Sequence, residues 1–209
     1  MLYYKKMKKS CVALLVLLLL LPSSLFARRN FQGYEEGNYK ISLRLPFNLP
    51  VMYYRQGELD EGQNNHWAFW DEIGYKNNLE YALEVGYDYF LNSSISIGGL
   101  LGYHFSYMRS GDLISRVPFL FRFGYYPLQG QFEIPIILGV GGAYMNVKGY
   151  SSASLYLSFE TGFSWFWNDN WGIGVRTGMH FVPEFKAGRM EDTNVTFFVP
   201  IALEVNFRR

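Results

Sequence analysis

Cysteine is almost absent from this sequence, which has a single one, Cys11, in 209 residues. A disulfide framework or a cysteine-based zinc site needs at least two thiols, so neither is available to the chain. Cys11 also lies in an N-terminal segment that we expect to be removed. The folded part must therefore obtain its stability from something other than covalent cross-links or a cysteine metal site.

Charge is also scarce. Asp, Glu, Lys and Arg make up 18% of the chain and the formal net charge is +1, whereas soluble domains average about a quarter charged residues. No basic tract is present, which argues against a nucleic-acid partner. The acidic residues Glu58, Asp60 and Glu61 do not have the spacing of a calcium loop. The glycine run at residues 139–142 lies within a strand pattern with no helix after it, so we predict neither a metal nor a nucleotide cofactor.

The chain also lacks a long apolar run. Its longest, residues 11–21, is shorter than the roughly 20 residues that a membrane-spanning helix needs. Four lysines between positions 5 and 9 precede it, and a short segment ending at Ala27 follows it. This order predicts a secretory signal peptide over residues 1–27 with cleavage after Ala27, and an uncleaved anchor helix is the alternative. Residues 28–209 then form one exported domain.

Aromatic residues and glycine are abundant, at 19% of the chain and 21 residues respectively. From Tyr39 onward hydrophobicity alternates with period two, which is the signature of β-strands. In the clearest segment, residues 79–89, every odd position is apolar or aromatic and every even position is acidic or small. Similar alternation recurs in seven further segments, within residues 39–45, 95–107, 116–125, 132–144, 157–167, 171–181 and 194–207.

The connections between these segments alternate in length. Tight turns are predicted at residues 92–94, 128–131 and 168–170, and longer connections at residues 46–78, 146–154 and 183–192. The remaining connection, residues 109–112, is short for the side with the longer loops. Eight strands with short turns at one end and longer loops at the other are typical of an outer-membrane barrel. We therefore predict an all-β fold: an eight-stranded antiparallel up-and-down transmembrane β-barrel, preceded by a cleavable signal peptide.

A soluble, lipocalin-like barrel is the inverse alternative, with the apolar face inside. The polar face here is mostly Gly, Ser and Ala, which is too small and too thinly charged to form a water-exposed surface. It suits the narrow interior of an eight-stranded barrel. Aromatic residues such as Tyr87, Trp167 and Trp171 lie near strand ends, where membrane girdles form. The sequence thus favours a barrel surrounded by lipid, in the outer membrane of a diderm bacterium.

The chain resembles the small outer-membrane β-barrel superfamily that includes the outer-membrane protein A, X and W and opacity-protein families. The resemblance covers the mature chain and includes local runs at residues 116–119, 132–135 and 139–144. It implies insertion by the barrel-assembly machinery, which reads the last strand. That strand usually ends on an aromatic residue, whereas here Phe207 is followed by Arg208 and Arg209. In the W branch it also implies passage of small hydrophobic molecules, and it transfers no functional residue.

Strand parity directs eleven charged side chains into the lumen. They are Lys40, Arg44, Glu80, Glu84, Asp88, Arg116, Arg122, Glu133, Glu160, Arg176 and Glu204. Because an isolated buried ion is very costly, we expect pairs of arginine and carboxylate across the lumen. Such pairs predict a plug that rigidifies the barrel, and a narrow conducting pore is the alternative.

His104, Ser106 and His180 are the residues that could serve as base and nucleophile in a lipid-modifying barrel hydrolase. No motif surrounds them, so we predict no enzymatic activity. The long first loop carries several aromatic residues: Tyr53, Tyr54, Trp67, Phe69 and Trp70. Aromatic residues on a long loop can bind an extracellular ligand or can lie on the membrane interface, and the sequence leaves both open. We expect a monomer whose partners are outer-membrane lipid, the assembly machinery and either an extracellular ligand or a small hydrophobic solute.

Overall fold

The structure is a computed structural model that describes residues 33–55, 66–69, 79–107, 111–147, 150–185 and 194–209. Ala27 and the rest of the signal peptide lie outside these residues, so cleavage after Ala27 stays a prediction. Among the residues that the structure describes, no α-helix is long and apolar enough to cross a bilayer.

Eight long antiparallel strands close into a barrel, and a ninth, short strand is added to the first. The strands are β1 (Tyr39–Arg55), β2 (His66–Phe69), β3 (Glu80–Phe90), β4 (Ile95–Tyr107), β5 (Leu113–Leu128), β6 (Phe132–Val147), β7 (Tyr150–Phe166), β8 (Trp171–Phe185) and β9 (Asn194–Arg208). Neighbours in sequence pair in order from β3 to β9, and β1 pairs with both β3 and β9. This closure confirms the predicted all-β, eight-stranded up-and-down barrel.

The first long connection is shorter than the sequence predicted. We placed the end of β1 before Pro46, but the strand continues through Pro46 and Pro50 to Arg55. In the pairing of β1 with β3, the paired residues of β1 skip from Arg44 to Phe47, so Pro46 lies in a gap of this pairing. The pairing of β1 with β9 shifts register beside Pro50. Proline lacks an N–H donor and is tolerated in strands at such irregularities. Pattern reading therefore ended the strand too early.

Strands also extend further at two other predicted connections. Only residues 148 and 149 separate β6 from β7, and β8 continues to Phe185. Several strands contain 15 to 17 residues, whereas about 9–11 suffice to span the membrane. The surplus extends the barrel beyond the bilayer at the end of the longer connections, which faces outward in outer-membrane barrels.

The alternation places bulky apolar side chains on the outside. Aliphatic residues at mid-height are half exposed, for example Leu101 at 60% and Leu203 at 58%. Exposed aromatic residues surround both ends: Tyr87, Tyr125, Trp167 and Trp171 near the short turns, and Tyr81, Tyr103, Tyr107 and Tyr144 toward the other end. An aliphatic band between two aromatic girdles is the surface that a membrane barrel presents to lipid.

Candidate functional site

All eleven side chains that parity assigned to the lumen are buried there, each with 3% or less of its surface exposed. They form six carboxylates and five basic groups, so the charges nearly balance. Buried charges are stable only when they are paired and hydrogen-bonded. The contacts among these side chains therefore determine whether the lumen is a filled interior or an open channel.

Arg44 of β1 lies at the centre of this lumen. Its guanidinium contacts Glu84 Oε2 at 3.2 Å and Glu160 Oε2 at 2.9 Å. Glu84 belongs to β3 and Glu160 to β7, which lie four strands apart in a ring of eight. The two carboxylates thus come from opposite walls, and Arg44 bridges the full width of the barrel.

His104 continues the chain of contacts toward the outer end. It lies opposite Ala82 in the β3–β4 pairing, so the same-face residues two positions away on either side reach it. These are Glu80, 3.0 Å from Nδ1, and Glu84, 2.9 Å from Nε2. Two carboxylates on one imidazole suit the imidazolium form, which has two donors. Arg116 binds the other oxygen of Glu80 at 2.8 Å.

His180 repeats this arrangement on the opposite wall. It lies opposite Ser158 in the β7–β8 pairing, between Tyr156 and Glu160. Glu160 Oε1 is 3.0 Å from Nε2, and the Tyr156 hydroxyl is 2.7 Å from Nδ1. Together with Arg44, the two histidine units form one continuous network from Arg116 to Tyr156.

The end with the short turns holds a second group of contacts. Arg176 donates to Glu204 from Nε at 2.8 Å, and Ser164 donates to the same carboxylate at 2.8 Å. Lys40 contacts Glu133 at 2.5 Å. Farther around the wall, Arg122 lies 3.5 Å from Asp88, and Tyr126 also donates to Asp88 at 3.3 Å.

Apolar side chains share the lumen with these charges, and sequence reasoning missed them. One buried cluster consists of Leu100, Leu120, Ala143, Tyr156, Val182 and Phe198. Parity alone would have placed each of them inside. The prediction of an inward face made mostly of Gly, Ser and Ala does not account for these large side chains.

Of the hydrolase alternative's residues, His104 and Ser106 do not form a pair of base and nucleophile. Both nitrogens of His104 face carboxylates, which leaves none to activate the hydroxyl of Ser106. Ser106 Oγ has no hydrogen-bond partner within the part of the chain that the structure describes. Within those same residues, no group of His, Asp and Glu side chains is placed to hold a metal ion.

The aromatic residues of the predicted first loop are in part strand residues. Tyr53 and Tyr54 lie in β1, opposite Ala68 and Trp67 of β2. The side chains of Trp67 and Phe69 in β2, and the whole of Trp70, lie outside the described residues.

A groove of about 540 Å³ lies on the barrel's outer wall, across β7, β8, β9 and β1, and faces hydrocarbon.

A closed barrel with an apolar exterior and buried charges in its interior defines the class of this protein, an outer-membrane β-barrel. One protein-family model matches residues 23–207. The chain therefore belongs to the family that this model represents. No curated protein matches the chain.

Several solved structures share the fold. The outer membrane protein OprG from Pseudomonas aeruginosa is 13% identical, with 86% of this chain and 99% of that chain covered and a TM-score of 0.51. Ail, the attachment invasion locus protein of Yersinia pestis, is 14% identical over 83% and 99% of the two chains, with a TM-score of 0.42. Neisserial surface protein A is 11% identical over 82% and 99%, with a TM-score of 0.47. The matches also include the outer membrane protease OmpT from Escherichia coli and the outer membrane enzyme PagL. Identities this low show the fold alone, and a fold does not define an activity.

Proposed function

We propose that this protein is a sealed, non-enzymatic barrel that acts at the cell surface through the connection between β1 and β3, and does not pass solutes through its lumen. The observation that carries the proposal is the bridge from Glu84 through Arg44 to Glu160. An eight-stranded barrel has an interior only wide enough for side chains to fill. A side chain that joins opposite walls at mid-height leaves no continuous bore there.

The outer end supports the surface role. β1 contains 17 residues, more than the roughly 9–11 that a membrane strand requires, and β2 adds a further pairing to β1 over Met52–Arg55. The length of β1 supports a role outside the bilayer for the connection that follows it. Binding residues are often carried by such segments on a rigid scaffold.

Conductance in planar lipid bilayers tests the seal. We expect the refolded protein to give no steady current steps in potassium chloride. The triple variant Arg44→Ala/Glu84→Ala/Glu160→Ala, which removes the bridge and its carboxylates, should leak more than the wild type. Steady open-channel steps of defined size from the wild type would establish the narrow-conduit alternative and overturn the plug.

Cell adhesion tests the surface role separately. Cells that display the full chain should adhere to polystyrene more than cells that carry Trp67→Ser, Phe69→Ser and Trp70→Ser together. The matched control replaces Lys148 and Gly149, between β6 and β7, by serine and should retain adhesion. Equal adhesion of all three cell types, at equal surface levels, would remove the support for this role.

A further inference from the structure

The short segment before β1 folds back onto the end of the barrel that carries the short turns. Gly37 adopts a φ of 90°, which lies in the left-handed region that favours glycine. Its N–H donates to Phe90 O at 3.0 Å. Asn38 N donates to Glu35 O at 3.1 Å, and Asn38 Oδ1 accepts from Glu35 N at 2.8 Å. This turn ties residues 35–38 to the end of β3 and directs Tyr34 into the mouth of the barrel.

The ring of Tyr34 is enclosed there, with 4% of the residue exposed. It stacks on Phe90 at 3.5 Å between ring centroids and 10° between planes. It meets Tyr126 edge-on at 5.6 Å and 65°, and the Arg208 guanidinium lies 5.6 Å from its centroid. Aromatic faces and a cation around one ring form the kind of enclosure that binds a further aromatic group.

The polar atoms of Tyr34 also have specific partners. The hydroxyl donates to Glu133 Oε2, while the other oxygen of this carboxylate binds Lys40. The backbone N–H of Tyr34 donates to Gln129 Oε1 at 2.9 Å. The mouth therefore recognises a ring, a phenolic hydroxyl and a main-chain N–H, which are the features that distinguish a tyrosyl residue within a peptide.

The walls of this enclosure are independent of the segment that fills it. Phe90 ends β3, Tyr126 lies in β5 and Glu133 lies in β6. Gln129 is held by its own bond from Nε2 to Tyr126 O at 3.0 Å. Arg208 is fixed 3.8 Å above the ring of Phe166 and by a 2.8 Å bond to Asp169 O. A pocket whose walls belong to the barrel persists when its occupant leaves.

We propose that this mouth is a tyrosine-binding pocket that the chain fills with its own Tyr34, and that a free phenol takes the same place when that ring is removed. In an outer-membrane barrel the end with the short turns faces the periplasm. The pocket thus opens toward the periplasm, and its ligand class is a phenol with a hydroxyl that can reach Glu133. This inference does not depend on the surface role or on the seal at Arg44.

Ligand-dependent stability tests the pocket, with p-cresol as the probe. In the full-length Tyr34→Ala variant in detergent, p-cresol should raise the unfolding temperature in a saturable manner. Toluene has the same ring without the hydroxyl and should bind about tenfold more weakly, because the bond to a charged acceptor is lost. Wild-type protein should gain nothing from p-cresol, because Tyr34 occupies the pocket.

A matched control separates the pocket from the micelle. Tyr125→Ala removes a lipid-facing ring at the same end of the barrel, where Tyr125 is 45% exposed, and should show no saturable response. Equal stabilisation of all three proteins by p-cresol, or equal binding of p-cresol and toluene to Tyr34→Ala, would overturn the proposal.

A second measurement applies if Tyr34→Ala does not fold. In a Cys11→Ser background, a cysteine at position 36 should react quickly with a water-soluble maleimide, because Glu36 is exposed. A cysteine in place of Tyr34, which removes the buried ring, should react more slowly when p-cresol is in excess, whereas the cysteine at position 36 should react at the same rate with and without p-cresol. Equal slowing of both cysteines, or of neither, would contradict a pocket that Tyr34 fills.

Discussion

Arg44 is held by carboxylates on both sides, so we expect the lumen to be sensitive to its replacement. Arg44→Met would remove the guanidinium between Glu84 and Glu160 and leave each carboxylate with only its histidine partner. Breaking a buried ion pair by removing one partner costs about 3–5 kcal/mol. We therefore expect a loss of that size in the free energy of unfolding, measured by urea titration in lipid vesicles.

The control for Arg44 removes the charges along with their partner. The triple variant Arg44→Met/Glu84→Gln/Glu160→Gln removes the two carboxylate charges that Arg44 neutralises, so it should be less destabilised than Arg44→Met alone. If the single variant were as stable as the triple variant, the carboxylates would not depend on Arg44, and the bridge would have no energetic role.

At the level of single residues, the sequence predicted which side chains point inward but not how the interior is filled. Period two depends on the backbone alone, and each of the eleven charged residues lies on the side that parity indicated. Leu100 and Leu120, which pair directly, were missed for a different reason. The space for large inward residues comes from glycines on neighbouring strands, and a single sequence does not show which strand positions become neighbours.

Strand pairing is where glycine becomes structurally necessary. A Cβ on Gly141 of β6 would lie 2.0 Å from Phe119 O of β5, whereas one on Gly99 of β4 would meet nothing closer than Leu120 O at 3.5 Å. Gly141→Ala must therefore push two backbones apart, at a cost of about 1–3 kcal/mol. Gly99→Ala should stay within about 0.5 kcal/mol of the wild type.

Unfolding of both alanine variants in urea, with the wild type beside them, measures this difference. A loss at Gly99 as large as that at Gly141 would mean that alanine disturbs these strands through general packing. Close approach of β5 and β6 would then not be the cause.

The ends of strands were the least predictable elements, because proline and charged residues at these positions are compatible with either a loop or a strand. Pro46 and Pro50 suggested a loop, yet β1 contains both at irregular pairings. Arg208 and Arg209 follow Phe207, so the last strand does not finish on the expected aromatic residue. In the structure Phe207 packs against Trp171 at 5.0 Å, and Arg208 turns inward beside Phe166. The outward stripe of β9 therefore still ends on an aromatic residue, as the assembly signal would require, and recognition of that signal stays a prediction.

The barrel as a whole depends on hydrocarbon outside and paired charge inside. Its seam is continuous, since β1 and β9 pair from Lys40–Arg208 to Arg55–Asn194, which leaves no open edge in the bilayer. This inside-out arrangement was predictable, because it follows from comparing the size and charge of two alternating faces. The position of Tyr34 in the mouth was not predictable, because the segment of six residues before the first strand, 33–38, shows no periodicity.

Depth in the bilayer provides the test at this scale. Leu101 lies at the middle of β4 and is 60% exposed, and Tyr107 ends the same strand at 47% exposure. If lipid surrounds the barrel, Leu101→Arg should cost about 2–4 kcal/mol of unfolding free energy in vesicles, and Tyr107→Arg about 0–1 kcal/mol, because the cost of a charge falls toward the interface. Both variants place the same charge on the same strand and the same face, so the difference between them reports depth, apart from the difference between the leucine and the tyrosine that are removed. Equal costs, together with folding of the wild type in water without detergent, would mean that the apolar surface does not face hydrocarbon.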